Sequence, residues 1–283
     1  MPELPEVEVL ARHLRPLLRG RTVRGVKVRR VKVLAPTSPR KFRQALLGAT
    51  FTGVSRRGKY LLFQLAARTT GKPVTLLGHL GMTGRMFLAS KSERLPVHAA
   101  VVLDLGGENF IYEDTRYFGR LTLDVSAVEK LGPEPLRRDF QPAAFSRALK
   151  RSRQAIKIKL LDQTVVAGVG NIYASEALFR ARLSPKRAAN RLTPEQVKRL
   201  WRAIRDVLAR AIRGGSTVPL NFGGGKSDGL FYFGRAPGAP DFYEERLRVY
   251  DREGQPCLKC RDLIKRMTQA ARSTYYCPRC QGG

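Results

Sequence analysis

The stretch GVGNIYASEALF at residues 168–179 places two glycines and an asparagine directly before a run of helix-forming residues. Asn171 is predicted to cap this helix and to leave backbone amides pointing at a phosphate, and Gly168 and Gly170 permit that close approach. The composition changes to helix formers after LGPEPL at 131–136. This part of the chain is therefore predicted to be a helical domain, with helices at 142–150, 154–161, 171–181 and 194–213.

The residues before this helical domain follow a different pattern. From about 22 to 125, β-branched and alternating stretches are separated by glycines, which predicts a strand-rich sandwich or barrel. An amphipathic helix is predicted before it at 5–19, because apolar residues recur there at helical spacing until Gly20. The two patterns together indicate an α+β protein.

The residues after the helical domain contain a loop signal and then all four cysteines. Residues 214–242 are rich in glycine and proline, which predicts a mobile loop. The cysteines follow as CLKC at 257–260 and CPRC at 277–280, a spacing typical of a four-thiolate zinc site. One structural zinc ion is predicted, since Cys257, Cys260, Cys277 and Cys280 leave no coordination position open. Two disulfides are the alternative, although cytosolic thiols stay reduced.

The charge of the chain indicates its partner. Its 283 residues include 53 Lys and Arg against 23 Asp and Glu, which gives a net charge of +30. Such an excess attracts polyanions, so nucleic acid is the expected partner, and binding to a membrane surface is the alternative. No apolar run approaches the roughly 20 residues that cross a bilayer, and the N-terminus lacks a signal-peptide pattern. A cytoplasmic, nucleoid-associated protein is expected.

The N-terminus, MPELPEVE, offers a chemical group as well as a helix start. Pro5 followed by acidic residues is typical of the first helical turn, which alone would explain part of the motif. Removal of Met1 would make Pro2 a free secondary amine beside Glu3 and Glu6, and such an amine can attack a carbonyl carbon.

Six motifs occur in an order that resembles bacterial formamidopyrimidine-DNA glycosylases of the Fpg/Nei family. They are MPELPEVE at 1–8, RRGKYLL at 56–62, HLGMTG at 79–84, LGPEPL at 131–136, GVGNIYASEALF at 168–179 and the terminal CxxC pair. The resemblance implies an N-terminal β-sandwich with flanking helices (1–130), a helix–two-turn–helix domain with a lesion-capping loop (131–249) and a zinc β-hairpin (250–283). It also implies a monomer that binds damaged double-stranded DNA.

The resemblance implies a bifunctional DNA glycosylase and abasic-site lyase acting on oxidised purines. Pro2 matches the nucleophile that attacks the sugar C1′ and forms an iminium, from which β,δ-elimination nicks the strand. Glu3 matches the general acid/base and Glu6 the carboxylate that helps relay protons. Lys59 matches a catalytic lysine between damaged base and backbone. Arg272 matches the zinc-hairpin arginine that holds phosphates around the flipped nucleotide.

The resemblance also assigns DNA contacts. Met82 and Phe118 match apolar wedges that fill the space left by the flipped nucleotide, and Arg116 matches the residue that faces the orphaned cytosine. A place in the hydrophobic core is the ordinary alternative for Met82 and Phe118. His79 and Asn171 match phosphate-contacting positions.

This chain departs from the family pattern at two places. The family often has DPRRFG where this chain has DTRYFG, so a basic phosphate contact is missing at Tyr117. The 214–242 loop carries FGGGKSDG, which leaves its selectivity open. Two alternatives therefore remain: a glycosylase for oxidised pyrimidines of the endonuclease VIII type, and a non-catalytic zinc-containing protein that binds damaged DNA.

Overall fold

In the computed structural model of the protein, two compact units are distinguished by their backbone contacts. The described residues are 2–68, 71–214 and 247–282. The first unit comprises residues 2 and 6–129, and the second comprises residues 3–5, 130–214 and 247–282. The loop predicted at 214–242 lies outside the described residues, except for Gly214.

The described residues of the first unit form two antiparallel four-stranded sheets. The strands are β1 (Gly25–Val28), β2 (Thr50–Arg57), β3 (Tyr60–Ala66), β4 (Pro73–His79), β5 (Gly84–Ser90), β6 (Ala99–Asp104), β7 (Glu108–Asp114) and β8 (Arg120–Thr122). The strand order is β1-β6-β7-β5 in one sheet and β2-β3-β4-β8 in the other. Among the described residues, every pairing between these eight strands lies within one sheet or the other, which confirms the sandwich prediction over the barrel alternative.

The core of this unit lies between the two sheets. Phe51 and Phe63 come from one sheet and Phe110 from the other, and their rings meet edge to face at centroid distances of 5.4–6.3 Å. Such aromatic pairs stabilise a core beyond the area that they bury. Helix α1 (Leu4–Leu18) adds its apolar stripe to the same core, which confirms the predicted first helix.

Three short helical segments of the first unit were not predicted. They are α2 (Pro39–Leu46), α3 (Ser126–Glu129) and a 3₁₀ turn at Val31–Leu34. The β-branched pattern at Val31–Leu34 indicated a strand, but only Gly25–Val28 pairs with a neighbouring strand. Helix α2 has eight residues with Pro39 at its start, and the Ser38 hydroxyl accepts a hydrogen bond from the Lys41 amide at 3.3 Å. A helix this short has too few turns for a clear apolar period.

The helices of the second unit confirm the predictions to within two residues. They are α4 (Pro142–Lys150), α5 (Ile156–Leu161), α6 (Asn171–Arg180) and α7 (Pro194–Arg213). The boundaries of α7 follow from local chemistry: Thr193 and Gln196 form a capping box at its start, and Gly214 follows its last turn.

The C-terminal part of the second unit is a two-stranded antiparallel hairpin of β9 (Lys265–Gln269) and β10 (Arg272–Tyr276). Cys257, Cys277 and Ile264 are buried in the small core beside it. Across residues 2–68, 71–214 and 247–282, no helix is both long and apolar enough to cross a membrane.

Candidate active site and DNA interface

The Glu3 carboxylate occupies the N-terminal end of helix α6. Its Oε2 accepts hydrogen bonds from the Gly170 amide at 2.8 Å and the Tyr173 amide at 3.3 Å, and its Oε1 accepts one from the Ile172 amide at 2.8 Å. The side chain is only 2% exposed. A helix start has unpaired amides and a positive partial charge, so an ionised carboxylate is stabilised there.

This arrangement corrects the role predicted for Asn171 at the helix start. The capping position belongs to Gly170, and Asn171 is the first helical residue. The amides expected to face a phosphate bind Glu3 instead. Gly170 is required because a Cβ there would lie 2.5 Å from the Glu3 Oε1, and Gly168 brings Leu4 close enough for a 3.1 Å backbone hydrogen bond.

The side chain of Asn171 joins helix α6 to the zinc hairpin. Its Nδ2 donates a hydrogen bond to the Ser273 carbonyl at 2.9 Å, and its Oδ1 accepts one from the ammonium of Lys157. The same ammonium donates to the Ser273 carbonyl at 3.0 Å and to the Thr274 hydroxyl at 2.8 Å. Lys157 therefore ties α5, α6 and β10 together.

Lys157 is a functional candidate that the sequence analysis missed. The residue is fully buried. Burial lowers its pKa to about 8, the Glu3 carboxylate opposes this shift, and the Arg272 guanidinium adds to it. A lysine inside the apolar run AIKIKLL was the available signal, but two of its three partners, Ser273 and Thr274, lie more than 100 residues away in the sequence.

Arg272 begins strand β10 directly before Ser273 and is exposed. The hydrogen bonds to Ser273 fix the backbone next to this guanidinium, although its side chain faces solvent. The second unit thus brings Glu3, Lys157, Asn171 and Arg272 into one connected group, which we call the Glu3 cluster.

A second buried carboxylate attaches the segment that leads into the four-cysteine hairpin to helix α6. Glu176 is 4% exposed and accepts backbone hydrogen bonds from Arg248, Val249 and Tyr250, each at 2.9 Å. Burial raises the pKa of Glu176, and the three amides oppose that shift. The sequence analysis missed this residue too, although a glutamate within ASEALF lies among apolar positions.

The four cysteines form a site suited to one zinc ion. The four Sγ atoms of Cys257, Cys260, Cys277 and Cys280 all lie within 4.8 Å of one another. The Cys260–Cys277 pair is separated by 3.4 Å and the Cys257–Cys280 pair by 3.9 Å. A disulfide needs about 2.05 Å, whereas four sulfurs at about 2.3 Å from one ion have separations near these. All four cysteines are free, so the disulfide alternative is wrong.

In the first unit, Lys59 and His79 lie close together. Lys59 follows Gly58 at the β2–β3 turn and is only 8% exposed. Burial lowers the pKa of His79 to about 4, and the charges of Lys59 and Arg120 contribute to the shift. His79 Nδ1 accepts a hydrogen bond from the Gly81 amide at 3.2 Å. The ring is therefore neutral near pH 7 and carries its proton on Nε2.

Two further predicted residues, Pro2 and Glu6, are both buried, and Glu6 lies in the first turn of α1. Met1 is outside the described residues.

Met82, Arg116 and Phe118 form an exposed group that we call the Met82 surface. Met82 is 49% exposed and Phe118 is 52% exposed, so neither belongs to the hydrophobic core. The Arg116 guanidinium lies 4.7 Å from the Phe118 ring centroid, and its Nη1 lies 3.5 Å from the Met82 sulfur. Arg116 thus contacts both exposed apolar side chains at the surface.

Asp114, which the sequence analysis did not select, fixes the two loops beneath this surface. One oxygen accepts hydrogen bonds from the Thr83 hydroxyl at 2.6 Å and the Arg116 amide at 3.1 Å. The other accepts from the Gly119 amide at 2.8 Å and the Tyr112 hydroxyl at 3.3 Å. Since Asp114 is fully buried, these bonds link the loop of Met82 to the loop of Arg116 and Phe118.

Three family models match the chain. The model for the formamidopyrimidine-DNA glycosylase N-terminal domain matches residues 1–121, the one for the H2TH domain matches 131–221, and the zinc finger found in FPG and IleRS matches 254–282. With the sandwich, the helical domain and the four-cysteine hairpin, these matches define a DNA glycosylase of the helix–two-turn–helix class. The chain belongs to the formamidopyrimidine-DNA glycosylase family.

Individual relatives match over the whole chain. The formamidopyrimidine-DNA glycosylase of Thermus thermophilus is 44% identical over 100% of this chain and 99% of its own length. The solved complex of Lactococcus lactis Fpg with abasic-site DNA is 31% identical, with a TM-score of 0.87 over 99% of this chain and 100% of that one. A complex between a mutant of the same Lactococcus lactis protein and Fapy-dG-containing DNA has a TM-score of 0.86 at 31% identity, over 100% of both chains.

Proposed function

We propose that this protein excises oxidised purines, chiefly 8-oxoguanine and formamidopyrimidines, from duplex DNA and then nicks the strand at the abasic site. One observation carries the proposal: the residue that follows Pro2, Glu3, has a buried carboxylate that three backbone amides of helix α6 and its cap hold in place. Family membership supports the same reaction, as do the abasic-site and Fapy-dG DNA bound to the Lactococcus lactis relative.

The nucleophile in this proposal is the Pro2 nitrogen after Met1 is removed. Its lone pair attacks the sugar C1′ while the bond from C1′ to the damaged base breaks and the base leaves with a proton. The nitrogen then loses its proton and the bond from C1′ to O4′ breaks as O4′ takes up a proton, which opens the sugar ring and leaves an iminium between C1′ and the Pro2 nitrogen. This iminium acidifies the C2′ proton. Loss of that proton expels the 3′ phosphate, a second elimination expels the 5′ phosphate, and hydrolysis returns the free amine.

Acid–base assistance is assigned to the carboxylates and to Lys59. The ionised Glu3 carboxylate accepts the proton that the Pro2 nitrogen loses and passes it to O4′ as the sugar ring opens, and its fixed position needs no reorientation before it acts. Glu6 relays protons from the first turn of α1. Lys59 presents a largely buried ammonium to the leaving base or a phosphate oxygen.

Phosphate binding is assigned to Arg272, Asn171 and His79. Arg272 is exposed beside a backbone that Lys157 and Asn171 fix, which suits a charge-assisted contact to a phosphate. His79 would act as a neutral N–H donor through Nε2, because its pKa is lowered to about 4.

The Met82 surface is assigned to base flipping. Met82 and Phe118 enter the stack in place of the flipped nucleotide, and Arg116 faces the orphaned cytosine. Their exposure supports this assignment, because side chains committed to the core could not enter DNA.

The remaining assignments concern organisation. We retain 1–130, 131–249 and 250–283 as the proposed domain boundaries. Zinc, held by the four cysteines, would fix the hairpin that presents Arg272 and would take no part in the chemistry. We also propose a cytoplasmic, nucleoid-associated monomer.

The experiment is a cleavage assay of the zinc-loaded full chain on four matched duplexes: 8-oxoguanine opposite cytosine, an oxidised pyrimidine, a preformed abasic site, and undamaged DNA. We expect β,δ-elimination products from the 8-oxoguanine and abasic duplexes and none from undamaged DNA. Faster excision of the pyrimidine would identify the endonuclease VIII type of activity instead. Tight binding of lesions without any cleavage would identify a non-catalytic binder.

A further inference from the structure

Tyr117 lies between Arg116 and Phe118 and connects the Met82 surface to a second basic residue. The Tyr117 hydroxyl accepts a hydrogen bond from the Arg30 Nε at 3.1 Å and lies 3.4 Å from the His98 Nδ1. The Arg30 guanidinium also lies over the tyrosine ring, 5.3 Å from its centroid. Arg30 therefore contacts both the hydroxyl and the ring face of Tyr117.

The backbone at Tyr117 is in a conformation that a tyrosine seldom adopts. Its φ is 53°, in the left-handed region that a non-glycine residue enters at an energetic cost. The contacts of the Tyr117 side chain with Arg30 and His98 offset that cost, so the side chain is held by its partners.

The backbone of Arg30 is fixed as well. The amides of Arg29 and Arg30 both donate to the Ala100 carbonyl, at 2.8 Å and 3.1 Å, which anchors the end of β1 to strand β6. Arg30 itself is exposed, and among the described residues no carboxylate forms an ion pair with it. Since the bond to Tyr117 uses Nε, the two Nη groups remain available for a ligand.

We propose that Arg30, held by Tyr117, binds a phosphate of the DNA backbone beside the inserted side chains. The proposal rests on the proposed function, because it takes the Met82 surface as the part that enters the duplex. Duplex DNA carries about one phosphate per 1.7 Å of helix axis. Because the Arg30 guanidinium contacts the side chain of Tyr117, between Arg116 and Phe118, it would lie close to a backbone phosphate when these neighbours engage the duplex. The two Nη groups match phosphate oxygens in a bidentate contact.

This contact accounts for the departure of DTRYFG from the family pattern. A basic residue at 117 would supply its own charge, whereas Tyr117 positions the guanidinium of Arg30 through a hydrogen bond and a cation–π contact. The interaction with phosphate is thereby kept while the cation comes from another part of the sandwich.

The experiment measures binding of the zinc-loaded chain to a duplex that contains a non-cleavable abasic analogue, as a function of salt concentration. The slope of log K against log salt reports the number of neutralised phosphates, at about 0.9 per contact. Arg30→Ala should reduce the slope by about 0.9, and Arg29→Ala is the matched control, because Arg29 is an exposed neighbour with its own contact to the Pro96 carbonyl at 3.4 Å. An unchanged slope in Arg30→Ala, or an equal loss in both variants, would overturn the proposal.

Two further variants test the role of Tyr117. Tyr117→Phe keeps the ring and removes the hydroxyl, so it should weaken binding in the parent chain and add nothing to Arg30→Ala. Tyr117→Arg in the Arg30→Ala background should restore the lost slope, since a cation then comes from residue 117. If Tyr117→Phe weakens DNA binding equally in the parent chain and in Arg30→Ala, Tyr117 acts independently of Arg30 and does not position it.

Cleavage by the unaltered chain separates this proposal from the proposed function. If that chain cleaves 8-oxoguanine duplex and Arg30→Ala keeps the full slope, only the Arg30 contact is wrong. If the unaltered chain neither cleaves nor prefers lesion DNA, the proposed function is wrong.

Discussion

The Glu3 cluster and the Met82 surface are built in opposite ways. Glu3 and Lys157 are 2% and 0% exposed, and backbone or side-chain groups of the protein satisfy their hydrogen bonds. Met82 and Phe118 are 49% and 52% exposed. The first region therefore stabilises the fold in addition to the chemistry that we propose for it, whereas the second contributes little to folding and is exposed for the DNA contacts that we propose. Substitutions should separate the two regions by their effect on stability.

Glu3→Gln should show the largest effect and should change both stability and activity. A glutamine offers only one acceptor oxygen to three backbone amides, and a buried unsatisfied group costs about 1–3 kcal/mol. Loss of acid–base assistance should also slow base excision by roughly 10²–10⁴-fold. Thermal unfolding and single-turnover excision measure the two effects.

Asp206→Asn is the control for Glu3→Gln, because Asp206 forms an exposed ion pair with Arg180 in the same unit. An exposed pair contributes about 0–1 kcal/mol, so this variant should resemble the parent chain. Full stability in Glu3→Gln would contradict the structural part of our account, and full excision would contradict the chemical part.

Zinc removal should have the next largest effect. The metal clamps the hairpin whose Ser273 carbonyl and Thr274 hydroxyl bind Lys157, so its loss should release Arg272 as well. Charge-assisted hydrogen bonds contribute roughly 1.5–3 kcal/mol, so lesion binding should weaken by about 10- to 100-fold. We expect about one zinc per chain by elemental analysis. Unchanged DNA binding by metal-free protein would contradict the role that we give the hairpin.

Met82→Ala should change activity without changing stability. Burying a methionine contributes roughly 1.5–3 kcal/mol, and about half of this side chain becomes buried only in DNA, so excision of a paired lesion should fall by roughly 3- to 10-fold. Cleavage of a preformed abasic site should change much less. Leu47→Ala is the matched control, because Leu47 is also half exposed, at 53%, and lies outside the Met82 surface. A stability loss of about 2–5 kcal/mol, as expected for a core methionine, would show that Met82 belongs to the core.

The last effect is the pH dependence that His79 contributes to stability, which should be the smallest of the four near pH 6 and should grow as the pH falls further. The pKa of His79 is lowered to about 4 in the folded chain, from an ordinary value of 6.5. The unfolded state therefore binds more protons between these values, and stability should fall as the pH drops from 6.5 towards 4. His79→Gln should reduce that fall in denaturant unfolding curves. The same pH dependence in both chains would indicate that His79 titrates normally.

The sequence predicts features whose causes are local. Thr193, Gln196 and Gly214 lie beside the ends of α7, so the helix boundaries follow from neighbouring residues. The zinc site likewise follows from two CxxC pairs whose spacing is visible in the chain.

The features that the sequence does not predict depend on distant residues. Asn171 and Gly170 are both ordinary capping residues, and the choice between them is made by the carboxylate of Glu3, more than 160 residues earlier. Lys157 is an unremarked charged residue until folding brings Ser273 and Thr274 to it, and the link that Asp114 makes to the Met82 loop depends on Thr83, 31 residues earlier. The contact between Tyr117 and Arg30 is equally non-local, so the sequence showed only that a cation was absent at 117.

The central claim is that the Pro2 amine forms a covalent bond to the sugar, and borohydride trapping tests it most directly. Reduction should give a stable adduct with the 8-oxoguanine duplex and with abasic DNA but not with undamaged DNA, and its mass should map to the N-terminal peptide without Met1. An uncleaved N-terminal extension, which makes the Pro2 nitrogen a tertiary amide, should abolish the adduct. An adduct that persists with the extension, or that maps to Lys59, would contradict the claim.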